Sequence, residues 1–188
     1  MNSYTKKNPT TLLGFSLLEL MVVVAIVAIL AGLTYPTFSE LIAKNQTETA
    51  ARQLNALLLK AQTESLRRGG FIQLEKFDGI TGSNSCNNNN DWSCGLRLMA
   101  DADKNGSYEL VLDEMSIPKG VRLLNTSMMI PADTNKISFD RWGKSAQVSR
   151  LSFVQSKENF ESATRAVCME STGRVYTIKL NHFNSSCP

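Results

Sequence analysis

The chain has 188 residues, 43% of them apolar, a net charge of +3, four cysteines and a single histidine. That is the length and composition of one ordinary globular domain with a real core. With one histidine, no Gly-x-Ser-x-Gly elbow and no Walker loop, nothing assembles a nucleophile and its base, so the chain reads as a non-enzyme with no cofactor.

The charge is unevenly spread. Counting Lys plus Arg against Asp plus Glu, residues 1 to 14 carry +2 (2 against 0), 15 to 68 carry +1 (5 against 4), 69 to 140 carry −4 (6 against 10) and 141 to 188 carry +4 (7 against 3). After the leader the balance is near neutral, which argues against wholesale electrostatic binding of nucleic acid and leaves room for a local basic patch.

In chain order, Lys6 and Lys7 form a basic leader, and an apolar run follows from Phe15 to Leu33. An exported protein would place a small-residue cleavage site after such a run, and no Ala-x-Ala pattern stands there. The small residue, Gly14, lies before the run instead, so cleavage after Gly14 removes the leader and keeps the hydrophobic segment. Within that segment Glu19 is out of place, because an ionised carboxylate near the middle of a membrane helix costs at least ~2.5 kcal/mol. A freed α-amine on Phe15, from the same chain or a neighbour, is the cation that offsets part of this cost.

The stretch Gly14-Phe15-Ser16-Leu17-Leu18-Glu19 resembles the class III signal of type IV pilins and of type II secretion pseudopilins. The resemblance implies cleavage after Gly14 by a prepilin peptidase, N-methylation of Phe15, and a role for Glu19 in docking subunits within a helical filament. It further implies an inner-membrane precursor with a periplasmic domain, an inner-membrane assembly platform, and other minor pilins and a major pilin as partners in a filament at the cell surface.

Beyond the apolar run, Pro36 removes one backbone donor and is expected to kink the helix. The helical pattern then resumes, with Leu41, Ile42, Ala50, Ala51, Leu54, Leu57, Leu58 and Ala61 on one face. Arg67 and Arg68 suit the negative end of the helix dipole, and Gly69-Gly70 is a strong stop. The expected helix covers 15 to 68 and, at ~1.5 Å per residue, is roughly 80 Å long.

From Phe71 the period shortens to that of strands, expected at 71 to 75, 95 to 100, 108 to 113, 121 to 125, 137 to 142, 148 to 154, 164 to 169 and 175 to 180. Turn-forming stretches separate them. The fold class is therefore α+β, a long N-terminal helix packed on an antiparallel β-sheet domain. Four parts are expected: 1 to 14 a leader, 15 to 36 a transmembrane and filament-core segment, 37 to 68 the amphipathic half of the same helix, and 69 to 188 a β-rich globular domain.

Cys86, Cys94, Cys168 and Cys187 follow an export signal, so disulfides are the default. Three pairings are possible; Cys86 with Cys94 and Cys168 with Cys187 is favoured, because each pair flanks a loop-like stretch. The spacings do not suit zinc, and His182 is the one histidine available to help. Asp101, Asp103, Asn105 and Gly106 match the opening of an EF-hand loop, but its twelfth position is Leu112 and no helix precedes it, so a sheet turn is the better reading and no metal is expected.

Length, the Asp101 to Gly106 turn and the late segment Ser171-Thr172-Gly173-Arg174-Val175-Tyr176 make the globular part resemble the FimT/FimU and GspH group of minor pilins and minor pseudopilins. In FimT proteins that take up DNA, a Gly-Arg-x-Arg motif near the C-terminus is the implied DNA contact. Here Gly173 and Arg174 match it and Tyr176 stands in the second Arg position, leaving Arg174, with Lys179 nearby, as the candidate contacts. Tyr176 suits base stacking, though a strand tyrosine more often packs.

Overall fold

The computed structural model describes residues 15–79, 86, 90–126, 135–145, 149–155, 164–180 and 187, with side chains throughout except at 33–37. Among the described residues one helix, α1 (Leu17–Arg68), is followed by eight strands: β1 (Ile72–Lys76), β2 (Leu96–Ala100), β3 (Leu110–Met115), β4 (Val121–Asn125), β5 (Lys136–Phe139), β6 (Ser149–Gln155), β7 (Arg165–Met169) and β8 (Val175–Lys179). The chain divides into two compact units, 1–39 and 40–188.

In the first unit α1 begins on a cap. The Glu19 backbone N–H donates to Ser16 Oγ at 3.2 Å, and the Leu20 N–H to the Ser16 carbonyl at 3.2 Å. Ser16 is thus the N-cap and Glu19 the third helical residue, the spacing of a capping box. The helix runs through Pro36.

The second unit holds the core. The eight strands form two antiparallel four-stranded sheets, ordered β3-β2-β1-β5 and β4-β6-β7-β8, where the sequence suggests one sheet region. The chain makes β1 to β3, crosses to β4, returns to add β5 along the free edge of β1, and completes the second sheet with β6 to β8. Leu54, Leu58 and Ala61 of α1 pack in one cluster with Ile72, Leu74 and Leu98 of the first sheet and Leu123, Phe153 and Val167 of the second. Trp92, fully buried, joins that cluster from the loop before β2. Burial alternates along β4 and β5, as it must when one face of a strand meets a core and the other faces away.

The end of α1 is set by glycine. Gly70 N–H donates to the Ser65 carbonyl at 2.7 Å while Gly69 takes φ 77°, the six-to-one closure of a Schellman motif. A side chain at Gly70 would lie 3.2 Å from the Arg141 backbone nitrogen, so this position is closed by φ and by space together.

Seven expected strands start and end within two residues of the observed ones. The eighth, expected at 137 to 142, stops at Phe139. Asp140 ends it by accepting the Trp142 and Lys144 backbone N–H groups on Oδ1 at 2.8 and 2.9 Å, which folds 140–144 into a turn with Gly143 at φ 72°. Both disulfides are present, Cys86 with Cys94 and Cys168 with Cys187, with Cα separations of 4.9 and 6.0 Å. Gly14, the leader, His182 and most of the Asn87 to Asn90 run lie outside the described residues.

Candidate functional site

The described part of the first unit has no core of its own. Every residue from Phe15 to Gly32 is exposed, including Phe15 at 85%, Leu17 at 78% and each Val, Ile and Leu between Leu18 and Leu30. A helix that is apolar around its whole circumference is stable only inside a membrane or among other apolar helices, and soluble monomers rarely expose contiguous apolar surface beyond a few hundred Å². Glu19 is the only charged residue on this stretch. Its place in the first turn favours a carboxylate, because the amide ends and the helix dipole are positive there.

No helix among the described residues is long and apolar enough to cross a membrane. The apolar stretch with described side chains, Leu17 to Gly32, is shorter than the ~20 residues a span needs. The expected crossing extends to residue 36 and so includes positions whose side chains lie outside the described residues.

The β7–β8 hairpin carries the candidate cations. Glu170 and Arg174 close it, with Glu170 N–H donating to the Arg174 carbonyl at 3.0 Å and Gly173 N–H to the Glu170 carbonyl at 2.9 Å. Gly173, at φ 88°, makes this tip possible, and its carbonyl accepts the Gln62 side-chain amide from α1. The Arg174 guanidinium lies 5.2 Å from the Tyr176 ring centroid. Burial, then the charge and hydrogen bond of Glu170, push the Tyr176 phenol up, against the opposing effect of Arg174.

Arg174 and Lys179 are not brought together. Lys179 stands at the far end of β8, opposite Arg165 in the β7–β8 register, and Arg165 approaches Glu48 of α1 at 3.8 Å. What the structure brings to the Gly173 tip instead is the 140–144 turn. A side chain at Gly173 would meet the Gly143 carbonyl at 3.4 Å and Lys144 Cγ at 3.7 Å. Gly143 and Lys144 therefore stand beside the Gly173 tip; in the same turn the Arg141 guanidinium lies 5.6 Å from the Trp142 ring, and Trp142 is 67% exposed. Sequence reasoning missed this neighbourhood by assigning Arg141 and Trp142 to a strand; the available signal was the Asp-x-x-Gly turn pattern of 140–143.

The 101–106 stretch is a loop organised by carboxylates. Asp101 accepts Gly106 N–H at 2.8 Å and Asn105 N–H at 3.2 Å, and Asp103 Oδ2 accepts the Asn105 side-chain amide at 2.8 Å. No cluster of three metal-ligating side chains occurs among the described residues. Burial raises the Asp101 carboxyl, but the Gly106, Asn105 and Lys104 amides and Asp103 outweigh it and hold it below the ordinary range. Asp91 shows the same contest, burial set against hydrogen bonds from Ser93 and Arg122, with the same outcome. Glu64 is drawn down to about 2 by Arg67 and Arg68. A carboxylate whose folded pKa lies below its unfolded value, ~3.9 for Asp and ~4.3 for Glu, contributes stability that is present above the unfolded value and lost as pH falls through the folded one. The melting temperature is therefore expected to fall as pH drops from about 5 toward about 2, and Asp91→Asn should flatten part of that fall; a profile level over this range would contradict it.

A family model described as type II transport protein GspH matches residues 50–173, and one described as the prokaryotic N-terminal methylation motif matches residues 13–35. Two crystal structures of the type IV minor pilin FimU of Pseudomonas aeruginosa (strain PAO1) are similar, each at 19% identity over 70% of this chain. In space group P21 the match covers 87% of FimU with a TM-score of 0.51, and in P65 it covers 91% with a TM-score of 0.49. A long helix carrying a methylation motif, a domain of two antiparallel sheets and a family model spanning most of that domain point the same way. The chain belongs to the GspH family, among the minor pilins and pseudopilins.

Proposed function

We propose that this chain is a minor type IV pilin, a filament subunit that takes part in assembling or priming the pilus, at its tip complex, and so supports twitching motility, adhesion or DNA uptake. The observation that carries the reading is the bare apolar helix from Phe15 to Gly32 with one acid in its first turn. Such a surface needs a cover, and lipid before assembly and neighbouring helices after it are covers of similar polarity, so transfer from one to the other changes apolar burial little.

On this reading a prepilin peptidase cuts after Gly14 and Phe15 is methylated. The chain waits in the inner membrane with its sheets in the periplasm, and the assembly platform passes it to other minor pilins and the major pilin. Glu19 then pairs with a Phe15 amine and sets the axial register. The second reading, a minor pseudopilin of a type II secretion system, draws on the description of the matching family.

Deleting the gene separates the two. Loss of sheared surface pili and twitching, restored by the wild-type copy, supports the pilus reading; normal piliation with lost exoprotein secretion supports the pseudopilin. Processing has its own test. Gly14→Val should leave a precursor about fourteen residues longer, since a β-branched side chain replaces the small residue before the cut, and unchanged gel mobility would refute the cleavage site.

A further inference from the structure

We propose that Asn105 is an acceptor for N-linked glycosylation, its side-chain amide taking an oligosaccharide from a lipid-linked diphosphate donor. The inference rests on the periplasmic placement of the domain in the reading above and adds to it a covalent modification of the loop between β2 and β3.

The pattern Asn-x-Ser/Thr, with x other than Pro, marks an N-linked acceptor when it stands on a surface loop. It occurs four times in this chain, at Asn45, Asn105, Asn125 and Asn184. The structure separates them. Asn45 lies within α1, and Thr47, the hydroxyl of its triplet, is buried, donating to the Ala43 carbonyl at 2.9 Å and accepting the Gln155 side-chain amide at 2.7 Å. Asn125 is 7% exposed and pairs with Leu151 across the β4–β6 ladder. Asn184 lies outside the described residues. Among the described residues that leaves Asn105-Gly106-Ser107.

Its loop is free of regular pairing. Residues 102 to 107 are all exposed and belong to no helix or strand. Lys104 at φ 60° and Gly106 at φ 92° bend the backbone on either side of Asn105, and an added side chain at Gly106 would meet nothing within 4 Å. The backbone N–H groups of Asn105, Gly106 and Ser107 are held by the side chains of Asp101, Asp103 and Asn105, all within the loop, instead of by a neighbouring strand. The loop can therefore open into a transferase without disturbing the sheet behind it. Within the triplet, Asn105 Oδ1 accepts the Ser107 N–H at 2.7 Å, an Asx turn that draws Ser107 toward the carboxamide so that one enzyme site reads both.

Asp103 supplies a second mark. The methylation motif matched at residues 13–35 is prokaryotic, and the acceptor pattern of bacterial N-linked transfer carries an acid two residues ahead of the asparagine. Asp103 stands there, whereas the corresponding residues before Asn45, Asn125 and Asn184 are Ala43, Leu123 and His182. In the free loop Asp103 Oδ2 accepts the Asn105 side-chain N–H at 2.8 Å. Both groups are exposed, so exchanging this bond for contacts in the transferase costs little.

In the transfer, Asn105 Nδ2 bonds to the anomeric carbon of an oligosaccharide carried on a membrane polyprenyl diphosphate. The bond from that carbon to the diphosphate oxygen breaks, and the amide proton leaves with the diphosphate; nothing is oxidised or reduced. A saccharide here is bulky and hydrophilic, and it shields the Lys104-Asn105 peptide bond, which an exposed loop otherwise offers to proteases.

The test isolates the full-length chain from membranes of its host and measures the mass of the peptide that carries Asn105. The expected result is a saccharide increment on Asn105, lost in Asn105→Gln and Ser107→Ala and kept in Ser107→Thr, which retains the hydroxyl that the transferase reads. Ser107 joins the loop's hydrogen bonds through its backbone N–H, so the alanine variant keeps them and its loss of saccharide reports recognition instead of folding. An unmodified asparagine, a saccharide on Ser107 instead, or a gain of a single mass unit from deamidation of the Asn105-Gly106 pair would overturn the proposal. Two failures stay distinguishable: bare Asn105 in a membrane-inserted chain overturns the site and leaves the pilin reading standing, whereas a chain left in the cytoplasm overturns the export on which both depend.

Discussion

Glu19→Ala is expected to be made, inserted and cleaved normally, yet to fall at least tenfold in sheared filaments. The physical reason is the contrast between two environments of one carboxylate. At the capped start of α1 the acid is held where the helix dipole is favourable, with its backbone N–H on Ser16 Oγ at 3.2 Å. Packed among apolar helices it is costly to bury, by ~2.5 kcal/mol or more on insertion scales, unless a cation faces it. On the proposed processing that cation is the α-amine of Phe15. Replacement by Ala removes both the cost and the pairing, so insertion is preserved and the register of docking is lost. Glu19→Gln isolates the charge, since it keeps the shape and a hydrogen-bonding head. Undiminished incorporation of both variants would end the assignment of Glu19 to assembly.

Reduction of the two disulfides has the largest expected effect on stability. The bridges close loops with sequence separations of 8 and 19 residues, and loop-closure entropy assigns them about 2.5 and 3.3 kcal/mol respectively. For a unit of this size 1 kcal/mol moves the melting temperature by ~2–4 °C, so reductant should lower it by on the order of 10 to 20 °C. Removing Cys168 and Cys187 together should cost at least as much as removing Cys86 and Cys94, because the longer loop gains more freedom when opened. The measurement is thermal unfolding of the full chain in detergent with and without reductant, alongside thiol titration of the untreated protein. Titratable thiols before reduction, or a melting temperature indifferent to reductant, would contradict it.

Much of the fold was legible because its signals are local. Short apolar runs such as Val121 to Leu124 and turn glycines such as Gly120 and Gly173 mark strands and their ends without reference to anything distant. The Leu54, Leu58 and Ala61 spacing marks the packed face of α1 in the same way. The division into two sheets was not legible, because it depends on β1 taking β5 as its second neighbour across a separation of some sixty residues. Local pattern carries no record of that pairing.

The site divides along the same line. The residues proposed for processing and docking sit in one contiguous motif, and Ser16 with Glu19 even shows the spacing of a capping box. Arg174 and Lys179, close in sequence, are held apart by an extended strand that advances ~3.3 Å per residue. Gly143 and Lys144, far from Gly173 in sequence, reach it because Asp140 breaks a strand that the apolar pattern seemed to continue, and because Gln62 ties the Gly173 tip to α1.

The central claim, that the bare helix from Phe15 is the surface by which this chain enters a filament, is tested most directly at the N-terminus of the assembled protein. Filaments sheared from the cell surface are purified and the intact mass and N-terminal peptide of this chain are measured. The account predicts a chain in the filament fraction that begins at Phe15 and carries an N-methyl group. A chain that keeps its leader, or one found only in membranes while filaments form without it, would contradict the account.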